Sequence, residues 1–212
     1  MVPTPDFDSW EPDDGEEVYE GLVSLREMSL AEDRLGVSRN VLAIAAAMLS
    51  LQEYCHRDDI RVDSLNNNRT DAYLQHTVGL VFKMLPLALD LRLVSGPEDL
   101  LSAIHRQLVE GLAHSICDYS SLDNVAFADA LLVNYVANLG DASHLSDLNP
   151  TELELEISTS TVATGGRAVI YLNEEEGQVN IDIEYQKRAY AEGSMKKFLN
   201  LYVEKFRQLV KG

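Results

Sequence analysis

Val179, Ile181, Ile183 and Tyr185 alternate with Gln178, Asn180, Asp182 and Glu184. A chain patterned with period two can bury its apolar set only as an extended strand with one face on a core. Leu153, Leu155 and Ile157 repeat the pattern against Glu152, Glu154 and Glu156, and Ala168 to Leu172 makes a third strand between them. Asn173 to Gly177 predicts a hairpin connection, so these segments read as antiparallel strands sharing a buried face. The period then changes. Met195, Phe198, Leu199, Tyr202, Phe206, Leu209 and Val210 mark an amphipathic closing helix whose other face carries Lys196, Lys197, Lys205, Arg207 and Lys211. A one-faced sheet and a one-striped helix cover each other, which predicts an α/β (α+β) fold: a mixed, largely antiparallel sheet flanked by helices.

Upstream, Val18 to Leu25 reads as a strand and Ser29 to Leu35 as a short helix stopped by Gly36. Ser38 or Asn40 caps a helix from Val41 to Tyr54 whose first nine positions are apolar, four of them alanine, so burial on nearly all sides is expected. Ile60 to Ser64 is a short strand. Thr77 to Arg92, interrupted by Lys83 and Pro86, reads as bent extended chain. Ser95-Gly96-Pro97-Glu98-Asp99 starts a helix from Leu100 to Ala113 with Leu101, Ile104, Leu108 and Leu112 as its apolar stripe. Ala130 to Val136 is another strand, and Asn138 to Pro150 is loop-like.

Charge narrows the function classes. A net charge of −18 over 212 residues repels phosphate backbones and anionic lipid, so neither nucleic acid nor membrane is an expected partner. Eight of the acids fall within the first twenty residues, which hold no Lys or Arg; residues 1–16 are therefore expected to be a flexible leader or linker, with one domain over 17–212. Two cysteines, Cys55 and Cys117, suit a reducing, cytoplasmic setting rather than a disulfide framework. No secretion signal opens the sequence, and the nine-residue apolar run Val41 to Leu49 is about half of a membrane span.

Chemistry-bearing patterns are sparse. No Gly-x-Ser-x-Gly elbow occurs, and Ser194 after Gly193 opens a helix without the second glycine. Gly165-Gly166 precedes a strand, as a hairpin turn does, rather than a helix that would cradle phosphate. Cys55-His56 and His114 with Cys117 supply two ligands each where a structural zinc needs four, so no metal site is expected. His105 and His114 lie on different sides of one helix; His76 and His144 have no nameable partner. Glu152, Glu154 and Glu156 share a solvated strand face with nothing apolar to tune them. No complete catalytic set lies in the chain.

Four stretches in order carry a resemblance: Val41-Leu42-Ala43-Ile44-Ala45-Ala46-Ala47-Met48-Leu49; Ile60-Arg61-Val62; Asn66-Asn67-Asn68-Arg69-Thr70; and Val78-Gly79-Leu80-Val81-Phe82-Lys83-Met84-Leu85-Pro86-Leu87. With Leu112-Ala113-His114 and the terminal strands and helix, they resemble the second half of a nonribosomal peptide synthetase condensation domain over Val18 to Val210. The resemblance implies one lobe of the chloramphenicol-acetyltransferase-like fold of the CoA-dependent acyltransferases. Lys83, Met84 and Ala88 replace the family's usual Asn, Thr and Arg, and Ser115 onward lacks its Pro-Phe-Glu element, with Asp118-Tyr119 as a displaced remnant. The family's His-His-x-x-x-Asp-Gly motif, which belongs to the first lobe, is absent.

The family's chemistry is amide formation between carrier-bound acyl and aminoacyl thioesters, the second motif histidine acting as general base or orienting the amine. By that resemblance this chain holds no catalytic residue and is inactive alone. Asn68 and Arg69 are its cleft and inter-lobe candidates, Arg69 facing the missing motif Asp; a turn with a surface arginine is the competing reading. No substrate-tunnel residue is identified. Phosphopantetheine arms are expected as substrates, with no directly bound cofactor. The implied partners are the N-terminal lobe and peptidyl or acyl carrier proteins. A lone lobe is also expected to show an apolar patch or self-association. Two alternatives stay open: a non-catalytic module that docks carrier or partner proteins, and an acidic mimic of nucleic acid.

Overall fold

A computed structural model describes residues 2–7, 14–66, 82–114, 130–136 and 168–212. Six strands form one sheet: β1 (Asp14–Ser24), β2 (Asp59–Asn66), β3 (Lys83–Asp90), β4 (Leu131–Val136), β5 (Ala168–Glu175) and β6 (Gln178–Gln186). Their spatial order is β1-β6-β5-β4-β2-β3. The neighbours β2, β4 and β5 run parallel, and the other three pairings are antiparallel. The sheet is therefore mixed and largely antiparallel, as the alternation implied.

Four helices cover one face: α1 (Leu25–Leu35), α2 (Arg39–Cys55), α3 (Pro97–Ala113) and α4 (Ser194–Lys211). Their apolar stripes and the inward strand residues Ile60, Val62, Leu85, Leu87, Leu131, Val133, Ile170, Leu172, Val179, Ile181 and Ile183 make a single core. The helix α2 is wedged between α4 and the strands β2 and β4, which is why Val41 to Met48 are all fully buried and why alanine recurs there: close helix approach leaves no room for larger side chains. Ser24 caps α1 through a reciprocal Ser-x-x-Glu box with Glu27, and Gly36, at φ 65°, ends it. That box starts α1 four residues before the expected Ser29. The hairpin between β5 and β6 turns on two residues only, Glu176 and Gly177, both at positive φ, the geometry that matches strand twist.

The expected leader is held on the fold where it is described. Val2 is buried, the Asp6 and Phe7 amides donate to the Ala189 carbonyl, and β1 begins at Asp14, inside the acidic run. Backbone pairing with β6 and burial of Val2 outweigh the repulsion that composition alone suggests. Pro86 sits on β3, an edge strand in unbroken register with β2, where its missing N–H costs nothing. The strand expected at Leu153 to Ile157 and the Gly165-Gly166 turn lie outside the described residues. No single helix among the described residues is long and apolar enough to cross a membrane.

Candidate functional site

Parallel strands send their carboxyl ends to one rim, and in such sheets that rim is where ligands are met. Here the rim belongs to β2, β4 and β5, and the amino end of α2 lies beside it: the Asn40 amide donates to the Ser64 hydroxyl at 3.2 Å. Asn68 and Arg69 follow the last residue of β2, Asn66, in sequence and lie outside the described residues.

What the structure brings together at the rim is a set no motif announced. The Arg39 guanidinium donates to Glu174 at 2.6 Å, to Glu32 at 2.8 Å and to the Ser29 hydroxyl at 3.1 Å. The Tyr135 hydroxyl donates to the same Glu174 oxygen at 2.8 Å. The Glu174 side chain is only 7% exposed. Burial works against the Arg39 charge, but the hydrogen bonds it donates to Glu32 and Glu174 outweigh it and hold the group cationic. Burial, and then the bond to Glu174, pushes the Tyr135 phenol well above its ordinary value. This cluster anchors α1, α2, β4 and β5 to one another. One signal was available: Glu174 continues the inward alternation of Ala168, Ile170 and Leu172, so a charge stands where the period demands an apolar residue.

The sheet's second face is free of the described helices. Val169 and Leu132 project there, buried yet outside the core cluster. Asp63, 2% exposed, takes a 3.4 Å contact from Arg61, and burial pushes its carboxyl up against that cation. Asp182 accepts from the Asn173 amide at 3.0 Å; burial first, then the Glu16 charge, pushes it up. Burial and the neighbouring Glu184 raise Tyr171 to about 12. Carboxylates with disfavoured charge line this face, but the described histidines do not reach it: His56 ends α2, and His105 and His114 lie exposed on or just past α3. Among the described residues no three His, Cys, Asp or Glu side chains converge as a metal site.

In β3, Lys83 and Met84 are half-buried and Ala88 is exposed, while Leu85 and Leu87 point into the core. The Gln107 side chain grips the Ala88 backbone, accepting from its N–H at 3.0 Å and donating to its carbonyl at 2.8 Å. A cavity of about 580 Å³ opens elsewhere, in the helical layer between α1, α3 and α4.

The condensation-domain family model matches residues 25–212. No curated protein sequence matches. Among solved structures, the PapA2 acyl transferase superposes with a TM-score of 0.71 at 14% identity, covering 100% of this chain and 48% of its own. The condensation domain of the Monacolin K polyketide synthase MokA gives 0.74 at 13% identity, covering 100% and 51%. The first condensation domain of the calcium-dependent antibiotic synthetase, in complex with a substrate analogue, gives 0.69 at 17% identity, covering 94% and 44%. The chain spans about half the length of these solved relatives. With six strands backed by four helices in that arrangement and the family match over nearly all of its length, the chain belongs to the condensation-domain family.

Proposed function

We propose that this chain forms the C-terminal lobe of a nonribosomal peptide synthetase condensation domain and supplies one wall of the cleft in which an amide bond forms. The acceptor amine attacks the donor thioester carbonyl; the C–N bond forms, the C–S bond breaks, and the departing thiolate takes the proton the amine gives up. The proton-handling histidine comes from the other lobe. One observation carries this reading: the family match over 25–212 coexists with a sequence in which no two histidines are adjacent. Asn68 and Arg69, directly after the rim strand β2, are the cleft residues, and Arg69 pairs with the motif Asp of the other lobe. Phosphopantetheine arms of carrier proteins enter as substrates, and the setting is cytoplasmic.

A second reading rests on β3. Lys83, Met84 and Ala88 stand where the family has Asn, Thr and Arg, and Ala88 offers only its clamped backbone. A module that docks carrier proteins without catalysis tolerates that loss. Mixing the 212-residue chain with an N-terminal lobe carrying the histidine motif separates the two. The first reading expects no thioester consumption by either part and amide product from the mixture; carrier binding without product selects the second, and neither binding nor product overturns both.

A further inference from the structure

The helix α4 begins without a side-chain cap, because its N-cap is Gly193, at φ 77°. The corner that leads into it is instead tied to the far end of the sequence. Asp6 Oδ2 accepts from the Ser194 hydroxyl and from the Ala191 N–H, both at 2.8 Å. Four further contacts fasten the same segment. The Asp6 and Phe7 amides donate to the Ala189 carbonyl at 2.9 and 3.0 Å, and the Tyr190 hydroxyl donates to the Pro3 carbonyl at 3.1 Å. The Cys55 thiol, half-buried at the end of α2, lies 3.8 Å from the Val2 carbonyl. The Ala191 N–H, then the Ser194 hydroxyl, hold the Asp6 carboxyl below its usual range, so it bridges as a carboxylate at neutral pH.

We infer that residues 2–7 form a strap, clasped by Asp6 across the amino end of α4, that closes the seam between the end of α2 and the Tyr190 corner and opens as a local unit. Three properties make it separable from the fold. Asp6 and Phe7 are exposed, and only Val2 and Pro3 are buried. The strap adds no strand to the sheet, and every contact just described is to residues 189–194 or Cys55. Tyr190 also packs edge-on against Tyr185 at 5.8 Å, a contact in which the strap takes no part. A segment with few buried apolar contacts and exposed hydrogen bonds is drawn from the low-stability end of a structure. When it lifts, the Cys55 thiol is uncovered and the Ala191 N–H and Ser194 hydroxyl lose their carboxylate partner.

The full chain carrying Cys117→Ser, which leaves Cys55 as the only thiol, tests this through its alkylation rate with iodoacetamide. Adding Asp6→Ala is expected to raise the rate roughly tenfold, the scale set by loss of the hydrogen bonds that the Ala191 N–H and the Ser194 hydroxyl donate to a carboxylate. Tyr190→Phe, which removes the donor to Pro3 and keeps the ring, is expected to raise it several-fold as well. In both variants the dependence of the rate on dilute urea should be much shallower than that of global unfolding. Unchanged rates in both variants, or a rate that follows global unfolding with its full urea slope, would overturn the strap.

Discussion

The sign of single charges is where residue chemistry is most exposed to test. Asp182 lies half-buried beside Glu16 and Glu175, and its carboxyl is pushed above the ordinary carboxylate range by burial first and by those charges after it. A folded-state pKa above the unfolded value means that the protonated form favours folding. That stability is fully present below the unfolded value of about 3.9 and is lost as pH rises through the folded value. Asp182→Asn is therefore expected to melt higher than the parent at pH 7 and equally with it near pH 3, with the Asn173 contact kept by the amide oxygen. A lower melting temperature at pH 7 would refute the assignment. The sequence placed Asp182 on the polar side of its strand correctly, but alternation says nothing about how wet that side is. The antiparallel neighbours β1 and β5 that crowd it are set by register.

At the scale of elements, α1 shows what a local signal is worth. Its first turn is closed by the Ser24 N–H donating to Glu27 at 2.8 Å and the Glu27 N–H donating to the Ser24 hydroxyl at 3.2 Å. Ser24→Ala should destabilise the protein by about 1 kcal/mol in urea titration with an unchanged slope, while Ser29→Ala, which loses the contact to Arg39, should cost less. A cost for Ser29→Ala above that for Ser24→Ala would contradict the helix start. The Ser24-x-x-Glu27 box was readable in the sequence, and it fixes the strand-to-helix junction; reading β-type alternation through Leu25 hid it. The helices α2 and α4 were legible to within two residues because their apolar positions are numerous and regular. The strands β2, β4 and β5 were legible as strands but not as parallel partners. Parallel pairing depends on crossovers that leave no periodic trace.

For the molecule as a whole, the rim cluster ties four elements together through one guanidinium. Replacing it by an apolar side chain of similar length, Arg39→Met, leaves Glu174 buried without its cation, and a loss of about 2–3 kcal/mol is expected from chemical denaturation. Tyr135→Phe removes one neutral donor to the same carboxylate and should cost about 1 kcal/mol. The reverse ranking would show that Arg39 is not the anchor. Neither residue stood out in the sequence: Arg39 and Tyr135 are far apart and each is ordinary alone, and only Glu174, a charge at an inward position of its strand, gave a signal. Residues 2–7 make the same point: eight early acids spoke for a detached segment, yet Asp6 finds the uncapped end of α4, 188 positions away. The period of the apolar residues determined which segments became strands and helices and which faces they bury, because periodicity is a property of neighbours along the chain. Strand order, the rim, the Arg39 cluster and the seating of the first residues were decided only by tertiary structure, because each depends on hydrogen bonds and ion pairs between groups that distance in sequence leaves uncorrelated.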